Sequence, residues 1–209
     1  MWDQRYNVDE YVYGTAPNVF LREQFGVLTS GMHVLSVADG EGRNGVWLAE
    51  KNMQVLSVDA SSVAQEKAKR LATQRGVELA FECADVLDQN WWGIARFDAV
   101  VAIFIQFADA AGRGIVFDGI KSALKPGGLL LLQGYTTRQL VFNTGGPSTV
   151  DNLYTDEMLR GLLSGWDILH WCEHDSHISE GRFHHGMSAL IDVIVRKPVQ
   201  PEALGACRT

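Results

Sequence analysis

Cysteine is scarce in this chain, with three in 209 residues, at positions 83, 172 and 207. An odd count with no C-x-x-C spacing excludes a fully paired disulfide framework and offers no zinc site. Cys83 and Cys172 fall in strand-like stretches, where the expected role is that of a small buried hydrophobe. Runs of basic residues are also missing: 18 Lys and Arg stand against 25 Asp and Glu, for a formal net charge of -7. Without a phosphate-binding stripe, nucleic acid is not an expected partner. The nearest basic cluster, Lys67, Lys69 and Arg70, reads as the solvated face of a helix. Nowhere do about eighteen apolar residues follow one another, as a membrane-spanning helix requires. Met1-Trp2-Asp3-Gln4-Arg5 carries no apolar leader segment. The expectation is a cytoplasmic chain without a membrane partner. What is present is ordinary for a globular domain, 46% hydrophobic and 21% charged residues, enough to bury a core.

No internal repeat or low-complexity linker divides the sequence, so residues 1–198 read as one domain, with 199–209 as a flexible tail. Short apolar runs bounded by Gly, Pro or Asp give strand candidates at His33–Val37, Val55–Val58, Leu79–Cys83, Asp98–Phe104 and Leu129–Gln133. Helical spacing or good helix formers occupy Gly45–Lys51, Ser62–Gln74, a weaker stretch near Trp91, and Ala111–Leu124. Lys125-Pro126-Gly127-Gly128 reads as a tight turn into the fifth strand. This alternation implies a parallel α/β sheet with helices on both faces, because parallel strands need a crossover. After a short helix at Thr155–Leu163 the pattern changes. Asp167–Ser176 and Ser188–Lys197 flank a polar stretch, His177–Gly186, that reads as a hairpin connection. The fold class expected is therefore a Rossmann-like, seven-stranded mixed sheet ending in an antiparallel hairpin.

Chemistry concentrates in Val34-Leu35-Ser36-Val37-Ala38-Asp39-Gly40-Glu41-Gly42-Arg43-Asn44-Gly45, a strand, a Gly-rich turn and a helix start. Glycines there let the backbone bend and approach a ligand without a Cβ in the way. Read from Gly40, the segment matches G-x-G-x-x-G, so the pattern alone leaves a dinucleotide such as NAD open. Asp59 ends the next strand, nineteen positions after Gly40, where a carboxylate can accept both hydroxyls of a ribose. That specifies a nucleoside without choosing the cofactor. Asp39 and Glu41 beside the turn would repel a pyrophosphate and favour a sulfonium and an ammonium. Asp85, after the third strand and before Val86, can reach an adenine amino group, or simply cap the next turn. Ile103 and Phe104, ending the fourth strand, would line the crevice.

Several separated motifs then agree with one family. They are Trp2-Asp3-x-Arg5-Tyr6, Glu10-Tyr11-Val12-Tyr13-Gly14-Thr15-x-Pro17-Asn18-x-Phe20-Leu21, Gly40-Glu41-Gly42-Arg43-Asn44, Asp59, Lys125-Pro126-Gly127-Gly128 and Glu180-Gly181-Arg182-x-His184. The chain resembles the class I S-adenosylmethionine-dependent methyltransferases, in particular the bacterial tellurite-resistance-like branch related to thiopurine methyltransferase. The resemblance implies S-adenosyl-L-methionine as cofactor and a lid over it formed by residues 1–25, with Tyr11 and Tyr13 contributing. The cofactor set expected is Tyr11, Tyr13, Ala38, Asp39, Gly40, Glu41, Asn44, Asp59, Ala60, Asp85, Val86, Ile103 and Phe104. The chain departs from the family turn L-D-x-G-C-G-x-G by carrying Ser36 in place of the acid and Ala38 in place of the first glycine. Asp39 is the candidate to replace the missing charge.

Methyl transfer from a sulfonium is an in-line displacement that positioning alone can largely promote. His184 and His185 are the candidate bases and Arg182 the candidate anion holder, all in the hairpin connection. His174, His177, His184 and His185 lack metal-ligand spacing, so no metal is expected. The six tryptophans read as core and lid packing. The acceptor expected is a small molecule, a thiol or a Se/Te oxyanion-derived nucleophile by the resemblance. An NAD-dependent oxidoreductase and a non-catalytic adenosyl-cofactor-binding protein are the alternatives.

Overall fold

A computed structural model of the chain describes residues 2–199; the tail expected from sequence, with Cys207, lies almost wholly outside the described residues. In chain order the elements are α1 (Trp2–Tyr6), α2 (Val19–Glu23), β1 (His33–Val37), α3 (Arg43–Glu50), β2 (Gln54–Asp59), α4 (Ser62–Arg75), β3 (Ala80–Cys83), β4 (Phe97–Ile103), α5 (Ala110–Ala123), β5 (Leu124–Tyr135), α6 (Gln139–Phe142), α7 (Asp156–Leu162), β6 (Asp167–Ser179) and β7 (His185–Arg196). They build one seven-stranded sheet in the order β3-β2-β1-β4-β5-β7-β6. The first five strands run parallel, and β7 lies antiparallel to both β5 and β6. This is the mixed sheet with a terminal hairpin that the sequence implies. After β5 the chain does not make the further parallel crossover expected of a nicotinamide-binding fold.

Alternation along the strands divides the core into two layers. Leu35, Val37, Val100, Ala102, Leu130 and Leu132 pack with Val116, Phe117 and Ile120 of α5 and Leu159 of α7. Their neighbours Val34, Ala99, Val101, Leu129 and Leu131 pack with Phe20 and Leu21 of α2 and Leu48 of α3. The helices are placed by side-chain caps. Asn18, Ser61, Asp109 and Thr155 each accept a backbone N–H from the first turn of α2, α4, α5 and α7 respectively. Gly76, at φ 67°, ends α4 in the left-handed region.

Four local expectations are corrected. The stretch near Trp91 is a series of turns, because Gly93 and Ala95 both take positive φ; the Trp92 ring is in the core, its Nε1 donating to Val86 O at 3.0 Å. Cys83 and Cys172 are exposed, since β3 and β6 are the two edges of the sheet. The hairpin connection is shorter than His177–Gly186, because pairing continues to Ser179 opposite His185. Lys125–Gly128 falls within β5, the turn surviving as a register shift opposite Phe97 and Ala99 with Gly127 at φ 77°.

Candidate functional site

The order of the sheet reverses between β1 and β4, and at such a switch point the carboxyl ends of neighbouring strands diverge to leave a crevice. Ala38, Asp59, Ala84 and Phe104 follow or end β1, β2, β3 and β4 there. The turn after β1 takes Ala38, Gly40 and Gly42 through positive φ of 48°, 59° and 83°. The last two glycines of G-x-G-x-x-G serve packing. A Cβ on Gly42 would lie 2.6 Å from the Cβ of Ala68 on α4, and one on Gly45 would collide with the Asp39 carboxylate. Gly40 instead faces Tyr6, whose hydroxyl would be 2.8 Å from an added Cβ. Ala38 holds a left-handed conformation that costs a non-glycine residue roughly 1 kcal/mol.

The two acids flanking the turn have protein partners, which removes the basis of the charge argument drawn from them. Asp39 is buried and accepts from Ser36 Oγ and Ser57 Oγ at 2.8 Å each and from Gly45 N at 3.2 Å. Burial, opposed by these hydrogen bonds, pushes its carboxyl up to about 6. Ser36 and Asp39 thus act together: the hydroxyl at the family's acidic position holds a carboxylate supplied three residues later. Glu41 lies 2.5 Å from Lys67 Nζ and accepts from Tyr13 N. Lys67 is therefore not on a solvated face. Its three protons go to the carbonyls of Tyr6, Val8 and Glu10, at 3.3, 3.0 and 2.6 Å. Glu41 Oε1 sits against the same ammonium as a buried ion pair. The pair fastens the N-terminal segment to the glycine turn.

Asp59 differs from both. It is buried, accepts Gly40 N and Ser61 N at 2.8 Å each, and has no cation against it among the described residues. Burial raises its pKa and Asp3 adds to the effect. A buried carboxylate with only two backbone donors keeps lone pairs for the hydroxyls of a ribose, so the crevice fits an adenosyl cofactor. Ala60 is exposed at the crevice mouth, as is Asp85, which accepts Leu87 N at 2.9 Å and so caps its own turn. Val86 and Ile103 are core residues.

On the other side of the turn the N-terminal segment and the hairpin loop meet. Asn44 accepts Asn18 N at 2.9 Å; Asn18 Nδ2 donates to Gln133 Oε1 and to Glu180; and Glu180 pairs with Arg43 at 2.8 Å. Arg182 N donates to Val12 O at 2.8 Å. Asn18 and Glu180 stand inside motifs that the sequence displays, but nothing in the pattern says that they touch. Tyr11 turns to α4, donating to Lys67 O, whereas the Tyr13 ring lies 4.6 Å from that of His184. Phe104, at φ 55°, sets its ring 4.4 Å from His184 and 4.7 Å from Tyr135. A bulky residue in this region is a strained one, and such strain gathers at functional sites. His184 Nδ1 is buried without a hydrogen-bond partner among the described residues. Burial, with Arg43 and Arg5 nearby, pushes the imidazole down to about 3. The Tyr135 hydroxyl, too, is buried without a hydrogen-bond partner among the described residues; Ser188, which lies near it, donates to Gly186 O. His185 is exposed and packs on His177, away from His184, because neighbours on an extended chain point to opposite sides. Arg182 is exposed. Tyr6, Lys67, Asn18, Tyr135 and Glu180 are thus the site residues that sequence reasoning did not assign.

A crevice at the switch point of a seven-stranded sheet that ends in an antiparallel hairpin defines the Rossmann-like methyltransferase fold. Comparison with known proteins agrees: residues 34–128 match the family model described as a methyltransferase domain. The chain is 29% identical over 139 residues to glycine N-methyltransferase of Mus musculus, a match that spans 59% of this chain and 47% of the mouse protein. The chain thus spans about half the length of that relative. Among solved structures it is similar to TehB from Haemophilus influenzae, with a TM-score of 0.72 at 15% identity over 94% of this chain and 65% of the other. It is also similar to a SAM-dependent methyltransferase from Methanosarcina mazei, with a TM-score of 0.71 at 16% identity over 88% and 100%. The cofactor of such a domain is S-adenosyl-L-methionine. No helix among the described residues is long and apolar enough to cross a membrane.

Proposed function

We propose that the protein transfers a methyl group from S-adenosyl-L-methionine to a small acceptor whose nucleophile is already electron-rich near neutral pH, a thiolate or a reduced selenium or tellurium anion. The N-terminal segment serves as the lid. Ala38, Gly40 and Asn44 would line the methionine side of the cofactor, Asp59 and Ala60 the ribose, and Asp85, Val86, Ile103 and Phe104 the adenine side and floor. When bound, the cofactor supplies an electrophilic methyl on a sulfonium. Tyr13, Phe104, Tyr135 and His184 enclose the place where the acceptor would meet it, and their aromatic faces suit a cation.

The observation that carries the choice of acceptor is His184. An imidazole held at about 3 is neutral at physiological pH and too weak a base to remove a proton there. It can accept a hydrogen bond at Nδ1 and orient a ligand, while the Tyr135 phenol can donate one. An ammonium acceptor would need a base that this enclosure lacks; a thiol supplies its own anion through an unperturbed pKa of about 8.5. His184 is therefore read as a positioning residue, not as the base that its residue type suggests.

The test is S-adenosylhomocysteine formation with thiol, reduced chalcogen and amine acceptors, glycine among them, from pH 6 to 9. With a thiol, kcat/KM should rise with the thiol's own ionisation and show no inflection near 6.5. His184→Asn should lower kcat/KM about tenfold, the worth of one hydrogen bond, without changing the profile's shape. An inflection between pH 6 and 7 that disappears in His184→Asn would make the imidazole the base and overturn this choice of acceptor.

A further inference from the structure

Beside His184 the N-terminal segment meets the hairpin loop, and the exposed surface of that junction, a lip next to the aromatic cluster, is cationic. Arg5 Nη1 donates to Tyr13 Oη at 3.1 Å, and its guanidinium lies 5.4 Å from the Phe183 ring. Arg182 places its guanidinium 5.6 Å from the same ring. Arg5 comes from α1 and Arg182 from the loop after β6, so two elements far apart in sequence converge on one exposed aromatic side chain. Neither arginine has a carboxylate within salt-bridge distance among the described residues, although the chain carries an excess of acids. The acids close by are committed elsewhere. Glu180 holds Arg43, and Asp3 accepts the Ser61 hydroxyl at 2.5 Å.

Two guanidiniums without counter-ions, oriented by an aromatic face, present planar forks of N–H donors that suit an oxyanion. Tyr13 ties the lip to the interior: its hydroxyl accepts from Arg5 while its ring contacts His184. We infer that Arg5 and Arg182 form an anion-binding lip, and that the methyl acceptor carries an anionic oxygen-bearing group distal to its nucleophile, a carboxylate, sulfonate or phosphate held there while the nucleophile enters beside His184. The inference rests on the proposed methyl transfer for the identity of the ligand, but not for the existence of the anion site.

Two thiols of similar size separate the terms: 2-mercaptoethanesulfonate carries the distal anion, and 2-mercaptoethanol does not. Each is titrated into the protein alone and into the protein saturated with S-adenosylhomocysteine. The sulfonate should bind at least tenfold more tightly, and added salt should erode that preference because the lip is exposed. The double variant Arg5→Gln/Arg182→Gln should abolish the preference, leaving the two thiols equal, whereas Arg5→Lys/Arg182→Lys should keep part of it. Equal binding of the two thiols by the wild-type protein, or a preference that survives the double Gln substitution, would overturn the inference. The same titration separates it from the functional reading. Absence of S-adenosylhomocysteine binding with the sulfonate preference intact would remove the methyltransferase and leave the anion lip. Tight S-adenosylhomocysteine binding without any sulfonate preference would do the reverse.

Discussion

Asp39 and His184 are both buried titratable groups, one behind the glycine turn and the other in the aromatic cluster beside the hairpin loop, and burial drives each toward its neutral form. They differ in what surrounds them. Asp39 takes three hydrogen bonds from Ser36, Ser57 and Gly45 and belongs to the scaffold. His184 has a buried nitrogen with no hydrogen-bond partner among the described residues. In a folded protein an unsatisfied buried polar atom is costly, and one that persists invites a functional account. Asp39 is thus satisfied by its own chain, whereas the His184 nitrogen is the group that the proposed acceptor would complete. The comparison also locates the negative charge. With Glu41 paired to Lys67 and Asp39 turned inward, Asp59 is the carboxylate of the turn region that no cation among the described residues compensates.

The two groups should give opposite pH slopes to stability. Asp39 has its folded pKa raised to about 6, so its contribution is full below the unfolded value near 3.8 and is lost as pH rises through 6. His184 has its folded value lowered to about 3, so its contribution is present above the unfolded value near 6.5 and is lost as pH falls toward 3. Asp39→Asn keeps an acceptor for Gly45 N and a donor for a serine hydroxyl. It should flatten the loss between pH 4 and 6 and stabilise the protein at pH 7.5 by on the order of 2 kcal/mol, read by urea denaturation. Unchanged pH dependence in that variant would break the contrast. A smaller effect belongs to the turn itself. Ala38→Gly removes left-handed strain and should add about 0.5–1 kcal/mol to stability in the same assay; a loss of stability would mean that the Ala38 methyl packs productively.

Much of the fold was legible because strand alternation and the glycine turn are local signals. Val34 and Leu35 announce two faces in adjacent letters, and the two long terminal strands announce the hairpin that distinguishes this sheet. The failures share one cause, since they concern what covers a residue rather than what the residue is. Lys67 looks solvated on its helix because nothing local shows that Tyr6, Val8 and Glu10 return to it. Cys83 and Cys172 look buried because a strand's position at a sheet edge is a property of the topology. Asp39 and Glu41 sit where a ligand charge would be welcome, yet Ser36, Ser57 and Lys67 reach them first. His184 and His185 were indistinguishable in sequence, and the parity of the extended chain separates them. Asn18 and Glu180 were visible as letters in motifs, but their contact across the site is a long-range fact.

The account stands most directly on Asp59 as the ribose carboxylate of an S-adenosylmethionine site. Isothermal titration of S-adenosylhomocysteine and of NAD into the wild-type protein and into Asp59→Ala tests it. The account predicts one-to-one binding of S-adenosylhomocysteine, weakened about 10- to 100-fold in Asp59→Ala as expected for loss of hydrogen bonds to a charged group, and no binding of NAD. Binding of NAD without S-adenosylhomocysteine, or S-adenosylhomocysteine binding that is indifferent to Asp59, would contradict it.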